Sequence, residues 1–360
     1  MSNELGRLAD SARVVVCCGS GGVGKTTVAA AVAIEAARLG RSAVVVTIDP
    51  AKRLADALGI GSLTNSPTEI PGDWTGVVAA LMLDSESTFD SLVATYAGSS
   101  EQAEKILTNR FYQNISSALS GTQEYMASEK LYELSMDERW DLIVVDTPPS
   151  RNALDFLEAP NRLARFLDHR LYRLVTAPTR GFVRAVNLAA QTFFRSVAKV
   201  VGGDVIADAI AFFAAFEGME EGFKHRAKMV QLLLEDPTTA FVLVASPRKD
   251  TVVEAQFFAS KLADLRIEVR AVVVNRIHPL FSTRDPSDSL AEAAACGSPA
   301  MADYLANEAE LNQIAHDERS QLQGLREIVV DAELVEVPHL GFEVHDLDTL
   351  ELMSRRLFDR

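Results

Sequence analysis

Residues Arg13 to Thr27 read R-V-V-V-C-C-G-S-G-G-V-G-K-T-T, a β-prone apolar run entering a glycine-rich turn. An Ala-rich helix, read from Thr27 to Leu39, follows and stops at Gly40. Gly19, Gly24, Lys25 and Thr26 fill the pattern G-x-x-x-x-G-K-[ST]. Such a loop turns successive backbone N–H groups inward, and the helix N-terminus adds the positive end of its dipole, so the segment binds polyphosphate. Glycine is required where the backbone passes close to the phosphates at dihedrals a Cβ forbids. The cradle comprises Gly19, Gly21, Gly22, Val23, Gly24, Lys25, Thr26 and Thr27. Lys25 is placed to bridge the β- and γ-phosphates, Thr26 to ligate Mg²⁺, and Thr27 to reach the α-phosphate.

The rest of the chain supplies a sheet for this loop. Short apolar runs at Val14–Cys18, Ala43–Ile48, Val77–Met82, Leu142–Val145, Phe241–Ala245, Val269–Val274 and, in part, Ile328–Val337 alternate with helical stretches. That alternation predicts an α/β fold: a mostly parallel, doubly wound P-loop sheet with both faces covered. Asp84 to Arg139 and Ser150 to Glu235 read as helical, too long for ordinary crossovers. The expected division is a nucleotide-binding core of residues 1–83, 140–158 and 236–360, with residues 84–139 and 159–235 forming an inserted helical subdomain.

Charge and composition narrow the partners. A net charge of −15 over 360 residues argues against nucleic acid, which needs a basic face. The longest apolar run, Ala209 to Phe216, falls far short of the ~20 residues of a membrane span. The start lacks a basic end followed by an apolar stretch, and the chain reads as cytoplasmic, or peripheral to a membrane. Its 3 cysteines, two of them adjacent in the first strand, form no disulfide framework or C-x-x-C metal site.

Three strand ends complete the expected site. Thr47-Ile48-Asp49-Pro50-Ala51-Lys52 places a carboxylate beside the loop, where it would orient or deprotonate the attacking water. The same residues equally read as a helix start, with Asp49 the N-cap and Pro50 at the first helical position. Leu142 to Asp146 is an apolar strand ending in Asp, the Walker-B arrangement, with the carboxylate toward Mg²⁺. The Pro-rich turn Thr147-Pro148-Pro149-Ser150 after it reads as a switch that senses the γ-phosphate. Val274-Asn275-Arg276 ends a further strand; the Asn amide offers the donor and acceptor that adenine presents in return, and a plain turn residue is the other reading. The catalytic set is thus Asp49, Lys25 and Asp146, and the Mg²⁺ set Thr26, Asp49 and Asp146.

Together these segments resemble the ATPase family of the arsenical pump-driving ATPase and the eukaryotic ATPase that targets tail-anchored membrane proteins. The likeness covers the P-loop, the D-P-A segment at Asp49, the switch at Asp146 to Ser150, Leu154-Asp155-Phe156-Leu157, Val273-Val274-Asn275 and Val337-Pro338-His339-Leu340-Gly341. It implies a dimeric deviant Walker-A ATPase using ATP and Mg²⁺. It also implies that Asp49 positions the water, that Asn275 with Arg276 meets the adenine, and that Pro338, His339 and Leu340 line the base pocket. The family loop carries a lysine where Ser20 stands, and that lysine reaches the partner's nucleotide. Pairing with a lysine-bearing paralogue is therefore favoured over a homodimer. The family's C-x-x-C zinc clamp is absent, with only Cys296 in that region, so structural zinc is not expected; the dispersed cysteines of the arsenite-stimulated pump have no equivalents, so arsenite is not expected as an effector.

Two features of the helical block bear on a client. Arg162, Arg165, Arg170, Arg173, Arg180, Arg184, Arg195 and Lys199 suit an acidic partner or anionic membrane surface, or else a solvated face paired with carboxylates. Val205, Ala209, Phe212, Phe216, Met219 and Phe223 form a stripe at helical spacing that suits either a client groove or a plain core, with Gly218 and Gly222 as breaks. The reading is a dimeric switch ATPase coupled to a client or membrane partner through the helical subdomain. The alternative is a nucleotide-holding pseudo-ATPase that stabilises a paralogue.

Overall fold

The computed structural model describes residues 3–49, 51–115, 122–168 and 203–358, which form two compact units. One comprises Met1–Leu81, Glu138–Leu154 and Pro237–Arg360, the other Met82–Asp137 and Asp155–Asp236.

The first unit is built on strands β1 (Val14–Gly19), β2 (Ser42–Thr47), β3 (Thr68–Ile70), β4 (Val77–Met82), β5 (Leu142–Asp146), β6 (Thr239–Ala245), β7 (Val269–Ile277) and β8 (Glu333–Pro338). Their order across the sheet is β3-β4-β2-β5-β1-β6-β7-β8. β1 runs parallel to β5 and β6, β2 to β5, β7 to β6, and β8 to β7, while β3 and β4 pair antiparallel. Every residue of β1, β5 and β6 is buried, which is why these strands are continuous apolar runs rather than alternating ones. Parallel pairing brings the carboxyl ends of β1, β2, β5, β6 and β7 to one edge of the sheet, and that edge carries the site.

The helices, in chain order, are α1 (Glu4–Ser11), α2 (Lys25–Arg38), α3 (Arg53–Ala57), α4 (Ser85–Tyr96), α5 (Ser100–Leu107), α6 (Arg110–Ile115), α7 (Thr122–Ser135), α8 (Ser150–Asp168), α9 (Gly203–Ala215), α10 (Glu220–Leu234), α11 (Lys249–Asp264), α12 (Pro286–Ala295), α13 (Pro299–Gln321), α14 (Gln323–Ile328) and α15 (Leu347–Leu357). α2 is almost wholly buried, so its Ala-rich sequence, KTTVAAAVAIEAAR, suits close packing on β1, β2 and β5. It ends as expected from Gly40, whose φ of +89° is left-handed. The Gly40 N–H bonds the Ala37 carbonyl and the Arg41 N–H that of Ala36, a Schellman closure.

Four details differ from the sequence reading. α2 begins at Lys25 rather than Thr27, because the loop and helix are continuous. Asp49 is not an N-cap: α3 starts at Arg53 with Lys52 before it, and Asp49 instead accepts from the Ala51 N–H at 3.0 Å. β7 continues past Val274 to Ile277 through a bulge at Arg276. Ile328 closes α14, and strand begins only at Glu333.

In the second unit, aromatic rings make the core. Phe89 stacks on Tyr112 at 4.9 Å, Phe212 meets Phe216 at 5.2 Å, and Phe216 meets Phe223 at 5.1 Å. Phe212, Phe216, Met219 and Phe223 are buried, so this part of the stripe is core and not an exposed groove. Gly218, at φ +93°, separates α9 from α10. The Glu129 carboxylate is buried between the Tyr125 hydroxyl and the Arg226 guanidinium, the latter at 2.7 Å. Arg226 also lies over the Tyr132 ring at 4.2 Å. Of the basic stretch, Arg162 pairs with Asp155 and Glu158 of its own helix, the solvated-face reading; Arg170, Arg173, Arg180, Arg184, Arg195 and Lys199 lie outside the described residues.

Candidate active site

The loop between β1 and α2 is shaped by contacts that only glycine permits. At Gly19 (φ +150°) a Cβ would lie 2.1 Å from the Val244 carbonyl oxygen of β6. At Gly24 (φ +101°) it would lie 2.3 Å from the Asn275 amide nitrogen. Gly24 is also the residue before α2, and no side chain caps the helix, so its first N–H groups face the loop.

Within this cradle the Lys25 ammonium donates to the Ser20 carbonyl at 2.8 Å, and only 8% of the residue is exposed. Burial lowers its pKa, Asp146, Cys18 and Asp49 act in the opposite sense, and the nearby Arg53 charge adds to the lowering. Ser20 is buried, and its hydroxyl has no hydrogen-bond partner among the described residues.

Asp146 ends β5 beside the loop. One carboxylate oxygen, Oδ2, accepts from the Thr26 hydroxyl at 2.8 Å and the Thr47 hydroxyl at 2.9 Å. The other, Oδ1, is buried without a hydrogen-bond partner among the described residues. Burial pushes the Asp146 pKa up to about 6, against the two hydroxyls and Lys25, which lower it; Asp49 raises it further. An orphaned, desolvated carboxylate oxygen next to a threonine hydroxyl is a hard-oxygen donor set, and it fits Mg²⁺.

Asp49 lies two residues past β2. The Thr47 hydroxyl accepts from its N–H at 3.3 Å, and its carboxylate takes the Ala51 N–H and, at 3.4 Å, the Arg53 guanidinium. The turn after β5 is anchored by Thr147, whose hydroxyl donates to the Cys17 carbonyl at 2.8 Å. Cys17 and Cys18 are both buried; burial raises the Cys17 thiol pKa well above its usual value and that of Cys18 to about 12, so neither is a ready thiolate.

From the other side of β1, β7 reaches the same loop. The Asn275 amide donates to the Val23 carbonyl at 2.8 Å, and the Arg276 guanidinium to that of Gly22 at 3.4 Å. Arg276 itself is left-handed (φ +63°), which is the bulge in β7. Beyond it, His278 is held by Glu318 of α13, which takes both its backbone N–H and its ring Nδ1. The His339 N–H donates to the Ile277 carbonyl, and its ring stacks 5.9 Å from that of His278.

The fold therefore gathers Gly19, Gly21, Gly22, Val23, Gly24, Lys25, Thr26, Asp49, Asp146, Asn275 and Arg276 around one loop. Thr27 is half-buried in the first turn of α2. Pro338, His339 and Leu340 lie at the end of β8, next to the β7 exit, and no hydrogen bond joins them to the loop among the described residues. Sequence reasoning missed Thr47, the second hydroxyl on Asp146, although its place two residues before Asp49 was a signal. It also missed Arg53, Glu318 and Arg319. Arg319 donates to the His278 carbonyl and pairs with Glu336, and nothing local in the sequence marks that role.

A parallel-rich sheet with this loop on its central strand defines a P-loop nucleotide-binding protein. The family model described as anion-transporting ATPase matches residues 12–293. An ATPase ASNA1 homolog of Dictyostelium discoideum is 24% identical over 343 residues, covering 94% of this chain and 87% of that protein. An ATPase GET3 of Malassezia globosa is 26% identical, covering 74% and 73%. A protein named as an arsenical pump-driving ATPase in Aquifex aeolicus is 22% identical, covering 74% and 64%. The chain belongs to the anion-transporting ATPase family, and it is an ATP-binding ATPase.

Proposed function

We propose that this chain hydrolyses Mg·ATP at the β1–α2 loop and works as a dimeric switch. The carrying observation is the convergence of Lys25, Thr26, Asp49 and Asp146 from three strand ends. Backbone N–H groups of the loop and of the α2 start hold the phosphates, and Lys25 leaves the Ser20 carbonyl for the β- and γ-phosphate oxygens. Thr26 and Asp146, with Asp49 nearby, would hold Mg²⁺, which would supply neutralisation of phosphate charge. Asp49 orients the attacking water and takes its proton. Asn275 presents its amide to adenine as well as to Val23, since an amide nitrogen carries two hydrogens. Arg276, Pro338, His339 and Leu340 form the base side of the pocket.

Dimerisation with a lysine-bearing paralogue, and coupling to a client or membrane partner through the helical unit, belong to the same proposal and are motivated by Ser20 and the family. The test is steady-state hydrolysis with Mg²⁺ and isothermal titration with ATP, using wild type and Asp49→Asn. Turnover lost in the variant while ATP affinity is kept supports the proposal. No turnover in either protein, with ATP still bound by both, favours the pseudo-ATPase reading, which buried, cation-less Ser20 motivates; equal and measurable turnover in both removes Asp49 from the chemistry. Sedimentation with and without ATP, alone and after co-expression with a paralogue, reads the assembly. A monomer in every condition refutes the dimer.

A further inference from the structure

Arg53, the first residue of α3, extends its guanidinium to within 3.4 Å of Asp49 while its side chain stays 63% exposed. Its charge is felt by Lys25, the cation of the phosphate loop. The two nearby cations are differently held. Lys25 is buried on the Ser20 carbonyl, and Arg276 is tied to the Gly22 carbonyl through a bulged, left-handed backbone. Arg53 alone among these three combines solvent exposure with an ion pair to the residue assigned to the attacking water.

Charge balance bears on the place of this cation. Asp49 and Asp146 set two carboxylates against Lys25, and a nucleoside triphosphate brings several more negative charges. Phosphoryl transfer spreads charge over the equatorial oxygens of the transferring group, and an arginine aimed at them is among the largest contributions such a site can make. Ser20 offers no charge, and its hydroxyl is buried. A guanidinium has five N–H donors in a planar fork, so Arg53 can keep Asp49 on one edge and hold phosphoryl oxygens with the other.

We infer that Arg53 is a catalytic arginine supplied in cis, which moves onto the γ-phosphoryl oxygens of ATP and stabilises the charge they gain during hydrolysis. The inference rests on the proposed assignment of this loop as the site of hydrolysis. In the step, the water oxygen forms a bond to the γ-phosphorus as the bond from γ-phosphorus to the β–γ bridging oxygen breaks. That electron pair leaves on ADP, and the water proton passes to Asp49 and then to solvent. Arg53 changes no bond and only compensates charge.

The test compares wild type, Arg53→Ala, Arg53→Lys and Lys52→Ala in single-turnover hydrolysis, in binding of fluorescent ADP, and in thermal stabilisation by ADP with aluminium fluoride. The expected result is a kcat at least ~100-fold lower for Arg53→Ala, toward the about 10³–10⁵-fold range of arginine fingers, with ADP affinity changed less than about threefold. Arg53→Lys should keep part of the rate, added guanidinium chloride should restore part of it to Arg53→Ala, and Lys52→Ala should match wild type. The stabilisation by ADP with aluminium fluoride should be lost in Arg53→Ala while that by ADP alone persists. Wild-type or faster turnover by Arg53→Ala overturns the inference, the faster case making the ion pair a restraint on Asp49. So does loss in Lys52→Ala instead, or equal fluoroaluminate binding by wild type and Arg53→Ala. Wild-type protein that binds no ATP would overturn the functional proposal itself, whereas hydrolysis sensitive to Asp49→Asn but not to Arg53→Ala removes only the arginine.

Discussion

The Asp146 carboxyl, with its pKa raised to about 6 by burial, keeps its proton in the folded chain at pH values where the unfolded chain has already released it. Between roughly pH 4 and 6 the native state therefore binds more protons, and stability falls as pH rises through that window. Asp146→Asn should flatten this slope and raise the melting temperature of the nucleotide-free protein at pH 7, while abolishing the added stabilisation by Mg·ATP. Melting curves from pH 4.5 to 7.5 check both effects. A cation beside Oδ1 favours the charged form, so Mg·ATP binding near pH 6 should release a proton, seen as a dependence of titration enthalpy on buffer ionisation heat. No strand pattern showed that Asp146 would be so buried, nor that two threonines would share one of its oxygens. Those facts follow from which strand tips become neighbours, and that is set by tertiary structure.

At the scale of elements, glycine and arginine set how segments join. Gly24→Ala forces a Cβ onto the Asn275 amide at a left-handed residue, so the loop must shift. ATP affinity should fall more than about tenfold, a loss of roughly 1.4 kcal/mol or more, in isothermal titration. Arg41 gathers the carbonyls of Ala9, Ala12 and Asp141 at 2.6 Å, 2.6 Å and 2.7 Å, fastening the end of α1 and the start of β5. Arg41→Ala should cost about 2–4 kcal/mol in urea unfolding, since several acceptors lose a charged donor at once. The parallel strands were legible because burial on both faces writes itself as unbroken runs of Val, Ile and Leu. β3 was not: it has three residues, two of them exposed, and takes its form from pairing with β4. The stripe around Phe216 was ambiguous for a physical reason, since an exposed groove and a core ask for the same helical spacing.

For the molecule as a whole, the two units should answer separately to damage. Arg226→Ala strips the guanidinium from Glu129, a buried carboxylate already raised in pKa by burial. Breaking such a pair costs about 3–5 kcal/mol, so limited proteolysis of the variant should cut within residues 82–137 and 155–236 while ADP affinity is retained. The polar residues on α7, among them Glu124, Ser128, Glu129 and Lys130, are buried, which no helical pattern in the sequence announced. The order of the sheet has a consequence for synthesis. β1 and its loop are made before β5 and β6, which flank that strand, and before Asn275, which fastens the loop; all of these follow more than a hundred residues later. A nascent chain thus carries this glycine-rich turn for more than a hundred residues before the strands and amide that close it are made. Affinity for ATP should emerge abruptly, once β7 docks, making the closed cradle a checkpoint for the joining of β7 to the sheet.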